Sequence, residues 1–412
     1  MDDVRSYQPG DLEQAKRVWK EVGWIMENDY EPLALLLESS TTQVGLLRDA
    51  VESMAITEAG TFRYFQEELP MTVVAAVTTS LVARRQGLAG RTTARALQKG
   101  AESGDLLAAL GIFDQGYYDR LGFATMPYTH RIAFDPAQLI VPQLSRPPYR
   151  FDPSHSEAIH RSRLRRMRGH GSVNIISPNH TRCGMLESKE SRGLGFYDEG
   201  GEISHHIWGR IEDEHGPFYV WWTAYRSHEE FMELLSLLRS LADQVHLIHM
   251  EEPPGIVLQD FLKTPFKFRR STAKGKFEQT IITGAASQLR LLDIPRAVEK
   301  MSLPTAAGAK PSLEFTLIIE DPVERHLPED ASWRGCGGSY VVRLGERCQA
   351  EPGEGKGLPE VRIGIGGFSQ LWSGARTVEH LHLRGVLKTD PDTRDRLGRL
   401  ISLPLPDFEW LF

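Results

Sequence analysis

Between Val77 and Gly90 the chain reads Val77-Thr78-Thr79-Ser80-Leu81-Val82-Ala83-Arg84-Arg85-Gln86-Gly87-Leu88-Ala89-Gly90. A β-branched run ends there, two arginines follow, and a glycine stands where a helical periodicity begins. The first turn of a helix leaves backbone N–H groups unpaired at the positive end of its dipole, so such a corner attracts anions. Gly87, Ala89 and Gly90 would let an anion approach the main chain closely, and Arg84 and Arg85 add charge. That chemistry suits a pyrophosphate. The same residues would also make an ordinary strand-to-helix corner. The pattern is neither a Walker A loop, which needs Gly-Lys-Ser/Thr, nor a GxGxxG dinucleotide loop.

Other reactive residue types are more scattered. His205-His206, His246 with His249, and His380 with His382 invite a metal reading, because alternate residues of a strand share a face. No Cys or carboxylate stands at ligand spacing beside them, so no metal is expected. The cysteines, Cys183, Cys336 and Cys348, are far apart and odd in number. Neither a disulfide framework nor a CxxC zinc site is expected, and no cysteine lies near the corner to serve as an acyl carrier. Arg161, Arg163, Arg165, Arg166 and Arg168 form a basic run that could touch acidic lipid or nucleic acid, but such a run is more often a solvated helix face or an interface with acidic neighbours.

The 412 residues are 41% hydrophobic and 25% charged, near globular averages, which excludes collagen-like and wholly disordered chains. The net charge of −7 argues against sequence-independent nucleic-acid binding. Residues 1–70 hold six Lys or Arg against fourteen Asp or Glu. That excess reads as a solvated surface or as an electronegative approach for cationic substrates. No apolar run approaches the length of a membrane helix, so no membrane partner is expected. The acidic start lacks a basic and apolar leader, and with the sparse cysteines this points to a cytoplasmic setting.

The elements that must position the corner alternate along the chain. A helix is predicted over 11–22, strands over 54–65 and 71–82 with a turn at Glu67–Pro70, a helix over 87–103, and strands over 106–113 and 129–134. This is an α/β layer arrangement. Prolines cluster between Asp135 and Pro153 as a linker. Beyond it come a basic helix from Glu157, strands over 203–211 and 218–225, and an amphipathic helix over 228–244. A third section from Leu289 adds strands over 313–319, 339–344 and 361–365. The expected domains are therefore 1–145, 146–288 and 289–412.

The corner resembles the acetyl-CoA signature of GNAT acyltransferases, Arg/Gln-x-x-Gly-x-Gly/Ala, in Arg84-Arg85-Gln86-Gly87-Leu88-Ala89. Downstream, Gly116-Tyr117-Tyr118-Asp119-Arg120-Leu121-Gly122-Phe123 resembles that family's tyrosine-bearing turn. Within GNAT proteins the chain is most similar to the Eis-type (enhanced intracellular survival) acetyltransferases. That resemblance implies tandem GNAT-like domains, mixed sheets flanked by helices, followed by a sterol-carrier-like α/β domain.

The resemblance implies a cofactor and roles for individual residues. Acetyl-CoA would be the co-substrate, its acyl-pantetheine arm held along Val77, Thr78 and Thr79. Arg85, Gln86, Gly87, Leu88, Ala89 and Gly90 would grip the pyrophosphate, with Phe113 and Asp114 beside it. Tyr118 would be the general acid, a phenol protonated at neutral pH. Met71 to Val82 contains no carboxylate, and in Eis-type enzymes the base is the terminal carboxylate, here that of Phe412. Trp19, Trp24, Glu27 and Asp29 lie in the segment that borders the acceptor site in such folds. The expected reaction is direct acetyl transfer to a primary amine of an aminoglycoside-like polyamine or a lysine side chain, in a homo-oligomer that the resemblance makes a hexamer. The competing expectation is a non-catalytic protein that senses CoA or carries an apolar ligand in its third domain.

Overall fold

The computed structural model describes residues 3–26, 30–112, 116–266, 275–303 and 312–410. Among the described residues the chain builds three sheets. The first contains β1 (Val4–Ser6), β2 (Thr41–Leu47), β3 (Ala50–Tyr64), β4 (Glu67–Thr79) and β5 (Leu107–Gly111) in spatial order. After β5 comes the strand Ser287–Leu291, then β6 (Ala124–Thr125). Neighbours from β1 to β4 run antiparallel, and β4 and β5 are parallel.

Helix α1 (Leu12–Glu21) buries Ala15, Val18 and Trp19, spaced at three and four residues, against Met54 and Ile56 of β3. With α2 (Glu31–Glu38) it covers that face. Helix α3 (Leu88–Glu102) covers the other, with Ala94 and Leu97 packed on Val74, Ala108 and Leu110. The turn expected at Glu67–Pro70 is strand instead, and Phe65–Gln66 makes the reversal. Pro70 is tolerated because β5 joins β4 only from Met71, so no ladder donor is missing at that position.

The second sheet contains β7 (Thr129–Phe134) between Thr280–Gly284 at its edge and Ile248–Glu251. Phe218–Ala224, Ile203–Ile211, Arg192–Tyr197 and Tyr149–Phe151 complete it, and Phe231, Leu234, Leu235 and Leu238 of the helix His228–Ser240 bury its face. The third sheet has five strands around Leu313–Glu320, backed by the helices Ile365–Ser373 and Pro391–Leu400.

The expected boundaries at 145/146 and 288/289 do not separate these sheets. β7 precedes residue 145 yet belongs to the second sheet, and Ser287–Leu291 straddles 288 yet completes the first. A further strand, Val173–Ile175, pairs with the far end of β3. Apolar patterning marks each strand but carries no information about its partner.

His380 and His382 lie in the helix Val378–Leu383, not in a strand. Residues two apart on a helix point nearly opposite ways, so the pair cannot share a ligand. Among the described residues no group of three His, Cys, Asp or Glu could hold a metal ion. No helix among them is long and apolar enough to cross a membrane.

Candidate active site

Two irregularities open the first sheet. Parallel pairing of β4 with β5 runs from Met71↔Leu107 to Val74↔Leu110 and stops. From Ala75 to Thr79 the edge of β4 has no described strand neighbour on that side, so its main-chain groups are available to an extended ligand. At the same level β4 bulges. Met54 faces Thr78 while Ile56 faces Ala75, so Ala76 and Val77 together oppose Ala55. Ala76 takes φ 45°, unusual for a residue with a side chain. The extra residue tilts β4 away from β5 and starts the gap.

Beyond the gap, the strand turns into the basic corner. The Leu81 N–H donates to Glu21 Oε1 at 2.7 Å, which ties the turn to the end of α1. Arg85 and Gly87 adopt φ 60° and 73°, and no side chain caps α3. The first helical N–H to bond back is that of Arg91, to Gly87 O at 3.1 Å, leaving the amides of Leu88, Ala89 and Gly90 aimed out of the helix. Gln86 is exposed, and its side-chain amide donates back to Val82 O at 2.9 Å. The Leu88 side chain is core, packed with Val4 and Ala83. Gly90 is also held small by its neighbours, because a Cβ there would stand 3.0 Å from His326 Nδ1.

Tyr118 sits on a 3-10 turn, Tyr118–Leu121, that ends at Gly122 with φ 80°. Its side chain is 7% exposed, packed on Val74, Leu97 and Leu110, and its ring meets that of Phe123 edge-on at 6.1 Å. The strand Ser287–Leu291 holds this turn from beneath. Gln288 Nε2 donates to Asp119 Oδ1 at 2.8 Å, and the Arg290 guanidinium donates to Leu121 O. Arg290 is wholly buried, and its Nη2 stands 2.6 Å from Asp321 Oδ2 of the third domain. Asp321 accepts further bonds from the Cys336 and Val323 N–H groups, at 2.8 and 3.1 Å. With Arg290 Nη1 donating to Asp321 Oδ1 at 3.3 Å, four contacts satisfy a carboxylate withdrawn from water.

These parts surround one cleft of about 520 Å³. Val74 to Thr79, Gly111, Ile112 and Tyr118 form its first-sheet side, and Arg84 lies at the corner end. Val22 and Trp24 come from the end of α1 and the segment after it. The opposite wall is Thr129, Arg131, Ile282 and Gly284 of the second sheet, with Ala285 and Ala286. Of the residues expected to contact cofactor or acceptor, Val77, Thr78, Thr79, Tyr118 and Trp24 line the cleft. Trp19 is instead fully buried in the core. Phe113, Asp114, Phe412, Glu27 and Asp29 lie outside the described residues. Arg131, Ile282, Arg290 and Asp321 escaped sequence reasoning because each is far from the signature and lies on a stretch with no local motif.

The chain's described end packs against residues 163–170 and Phe62. The Asp407 N–H donates to His170 O at 2.6 Å, Phe408 packs on Phe62, and Glu409 Oε1 stands 2.8 Å from Arg166 Nε. The Trp410 ring lies 3.8 Å from the Arg163 guanidinium. Burial holds the Glu251 carboxyl above its ordinary range, with Arg131 pulling it down and Glu409 pushing it up. Glu409 therefore lies within electrostatic reach of Glu251, the strand partner of Arg131. Of the acidic residues of 1–70, Asp3, Glu31, Glu67 and Glu68 pair with Arg91, Arg182, Lys300 and Arg168 from later in the chain.

No protein-family description matches the sequence, and no curated protein is detectably similar to it. Solved structures are similar over the whole length. A conserved protein of unknown function from Enterococcus faecalis V583, titled a probable N-acyltransferase, superposes with a TM-score of 0.78 at 18% identity, covering 99% of both chains. A GCN5-related N-acetyltransferase from Anabaena variabilis ATCC 29413 gives 0.75 at 14% identity, with 98% of each chain covered. Eis1 from Mycobacterium abscessus gives 0.74 at 15% identity, again with 98% of each covered. The fold is that of the GCN5-related N-acetyltransferases. The end of β4 with its bulge and the end of β5 border the cleft, and Arg84 is its one lining residue from the corner, since Arg85, Gln86, Gly87, Leu88, Ala89 and Gly90 do not line it.

Proposed function

We propose that the protein transfers an acetyl group from acetyl-CoA to a primary amine. One observation carries this reading: the unpaired edge of β4 and the Tyr118 side chain meet at a single cleft, which reaches Arg84 on the corner that leads into the uncapped start of α3. Ala75 to Thr79 would hold an acyl-pantetheine arm by main-chain hydrogen bonds, and a bulge N–H would donate to the thioester oxygen as charge develops there. Arg84, Arg85 and the amides of Gly87 to Gly90 would hold the pyrophosphate. The amine nitrogen attacks the acyl carbon, the C–S bond breaks, and Tyr118 gives its phenolic proton to the departing sulfur. The amine's own proton passes to a base. We take that base to be the carboxylate of Phe412, a reading supported by the course of the tail to Trp410.

Transfer is direct. All three cysteines are buried, and burial pushes the Cys183 and Cys336 thiols up to about 12, far from the thiolate a covalent carrier needs. The sterol-carrier-like character of the third domain belongs to the same proposal, without a lipid. Between Phe315, Val342, Phe368 and Ile401 its interior leaves about 10 Å³, room for one water at most. The acceptor classes the resemblance implies are an aminoglycoside-like polyamine and a lysine side chain, and the assembly a hexamer, which light scattering would read.

Two variants test the reading: Tyr118→Phe, and a chain lengthened by one residue beyond Phe412. Acetyl-CoA should bind both with nearly wild-type affinity by calorimetry. Thiol release on an amine panel should fall by about 10²- to 10⁴-fold, the range of general acid–base contributions. Full turnover in the first variant rules out the acid, and in the second the base.

A further inference from the structure

Resting on the transferase reading, we infer that the acceptor amine also carries an anionic group, a carboxylate or phosphate, which docks on Arg131. Two charged side chains line the described cleft, Arg84 and Arg131, and both are cationic. Arg84 follows the turn after β4, beside the corner assigned to the pyrophosphate. Arg131 stands on the other wall, on β7 of the second sheet, where an acceptor would enter against the acyl group.

Its setting is built for an anion. Arg131 lies between Ile282 and Glu251 across neighbouring strands, so the three side chains share one face. Glu251 Oε2 is 4.0 Å from Arg131 Nε, a contact along the edge of the guanidinium. No described residue accepts a hydrogen bond from the guanidinium, and the Arg131 side chain remains 64% exposed. A planar fork held at one edge and open at its end is the geometry that takes a carboxylate or phosphate in two parallel bonds. Burial also keeps the Glu251 carboxyl above its ordinary range, which weakens its competition for the arginine. Ile282 at 63% exposure and Trp24 at 42% give the cleft apolar surface for the body of such a substrate.

A polycationic acceptor fits this wall poorly, because it would face like charge at close range. Among the described residues no acidic side chain lines the cleft, and Asp3, Glu31, Glu67 and Glu68 are engaged by basic partners.

Thiol release is followed with benzylamine, 4-(aminomethyl)benzoate, 4-(aminomethyl)phenylphosphonate and spermidine. Three of these share the reacting amine and differ in the distal group, and the benzoate and phosphonate arms separate the two anions. Wild type should favour an anionic member over benzylamine by about tenfold or more in kcat/KM, through KM, as expected for a charge-assisted bond. Arg131→Ala should collapse that ratio toward one, and Arg131→Lys should keep part of it. Glu251→Gln, which removes the competing carboxylate, should widen it. Equal use of benzylamine and its anionic analogues by wild type, a preference for spermidine, or an anion preference that survives Arg131→Ala would each overturn the inference. Acetyl-CoA bound without thiol release on any amine would instead overturn the transferase reading, and this inference with it.

Discussion

Arg163 is a guanidinium removed from water, and no carboxylate pairs with it among the described residues. Burial, and then Arg166, push it below its ordinary range while Glu409 pulls back. Guanidinium basicity exceeds what such a site removes, so the charge stays and must be compensated. The Trp222 and Trp410 rings do this from 4.4 and 3.8 Å, with Thr181 Oγ1 accepting at 3.2 Å. Trp222 is set in turn by His206. An indole N–H only donates, so the 3.2 Å contact from Trp222 Nε1 requires His206 Nε2 to be unprotonated. Burial, then Arg163 and His205, lower His206 to about 3, and burial chiefly lowers His160 to about 4. Folded values below the unfolded 6.5 mean that stability is complete above pH 6.5 and drains away as pH falls toward 4 and then 3. Asp407 opposes this, because burial and Glu409 raise it to about 6, so its docking strengthens as pH drops from 6 toward 4. Two histidines outweigh one carboxylate, and a net loss on the order of a few kcal/mol is expected by pH 3. His206→Gln, which can still accept from Trp222, should shallow the acid branch of a stability-against-pH curve followed by tryptophan fluorescence. An unchanged acid branch would count against this assignment. The basic run from Arg161 was legible as an interface with acidic neighbours, since Arg161 and Arg165 meet Glu202, Arg166 meets Glu409, and Arg168 meets Glu68. Its aromatic partners were not, because Trp222 and Trp410 are remote in sequence.

At the scale of elements, the Tyr118 turn is short and depends on what lies beneath it. Asp321, through Arg290, connects the third domain to the carbonyl of Leu121 at the end of that turn. Asp321→Asn would leave the Arg290 charge buried and weakly compensated, a change that costs about 3–5 kcal/mol in comparable sites. Urea unfolding should show that loss, and kcat should fall while acetyl-CoA affinity at the distant corner holds. The conservative Asp321→Glu should recover some of the kcat. A stability loss with kcat intact would make Asp321 a structural residue only. Helices and strands here were legible from periodicity: β7 spans Thr129–Phe134 as predicted, and α3 departs from its predicted bounds by one residue at each end. The bulge was not, since Ala75-Ala76-Val77 is an unremarkable strand sequence and its positive φ is imposed by the sheet around it. The corner could be read because glycine and arginine types announce a turn and a charge.

At the scale of the molecule, the first sheet is not made by the first part of the chain. Its strand between β5 and β6 is Ser287–Leu291, pairing with both, and its far edge on β3 is closed by Val173–Ile175. The seams are continuous: the Ile112 N–H reaches Ala286 O at 2.9 Å, and the Met126 N–H reaches Ser287 O at 3.0 Å. Conversely β7 leaves for the second sheet. A fragment of residues 1–145 would expose the edges of β5 and β6, lose Gln288 and Arg290 from under the Tyr118 turn, and carry β7 without partners. Unpaired edges and an uncovered core leave such a fragment without cooperative stability. It should show no sharp urea transition by circular dichroism and should not bind acetyl-CoA, whereas the full chain should unfold with its first and second sheets coupled. A fragment that unfolds cooperatively and binds acetyl-CoA would show that the exchanged strands decorate an autonomous domain. The coupling also bears on chemistry, because the same strand that closes the first sheet leads through Thr280–Gly284 into the wall that carries Ile282 beside Arg131. One continuous stretch, residues 280–291, thus borders the cleft on one side and supports the Tyr118 turn on the other.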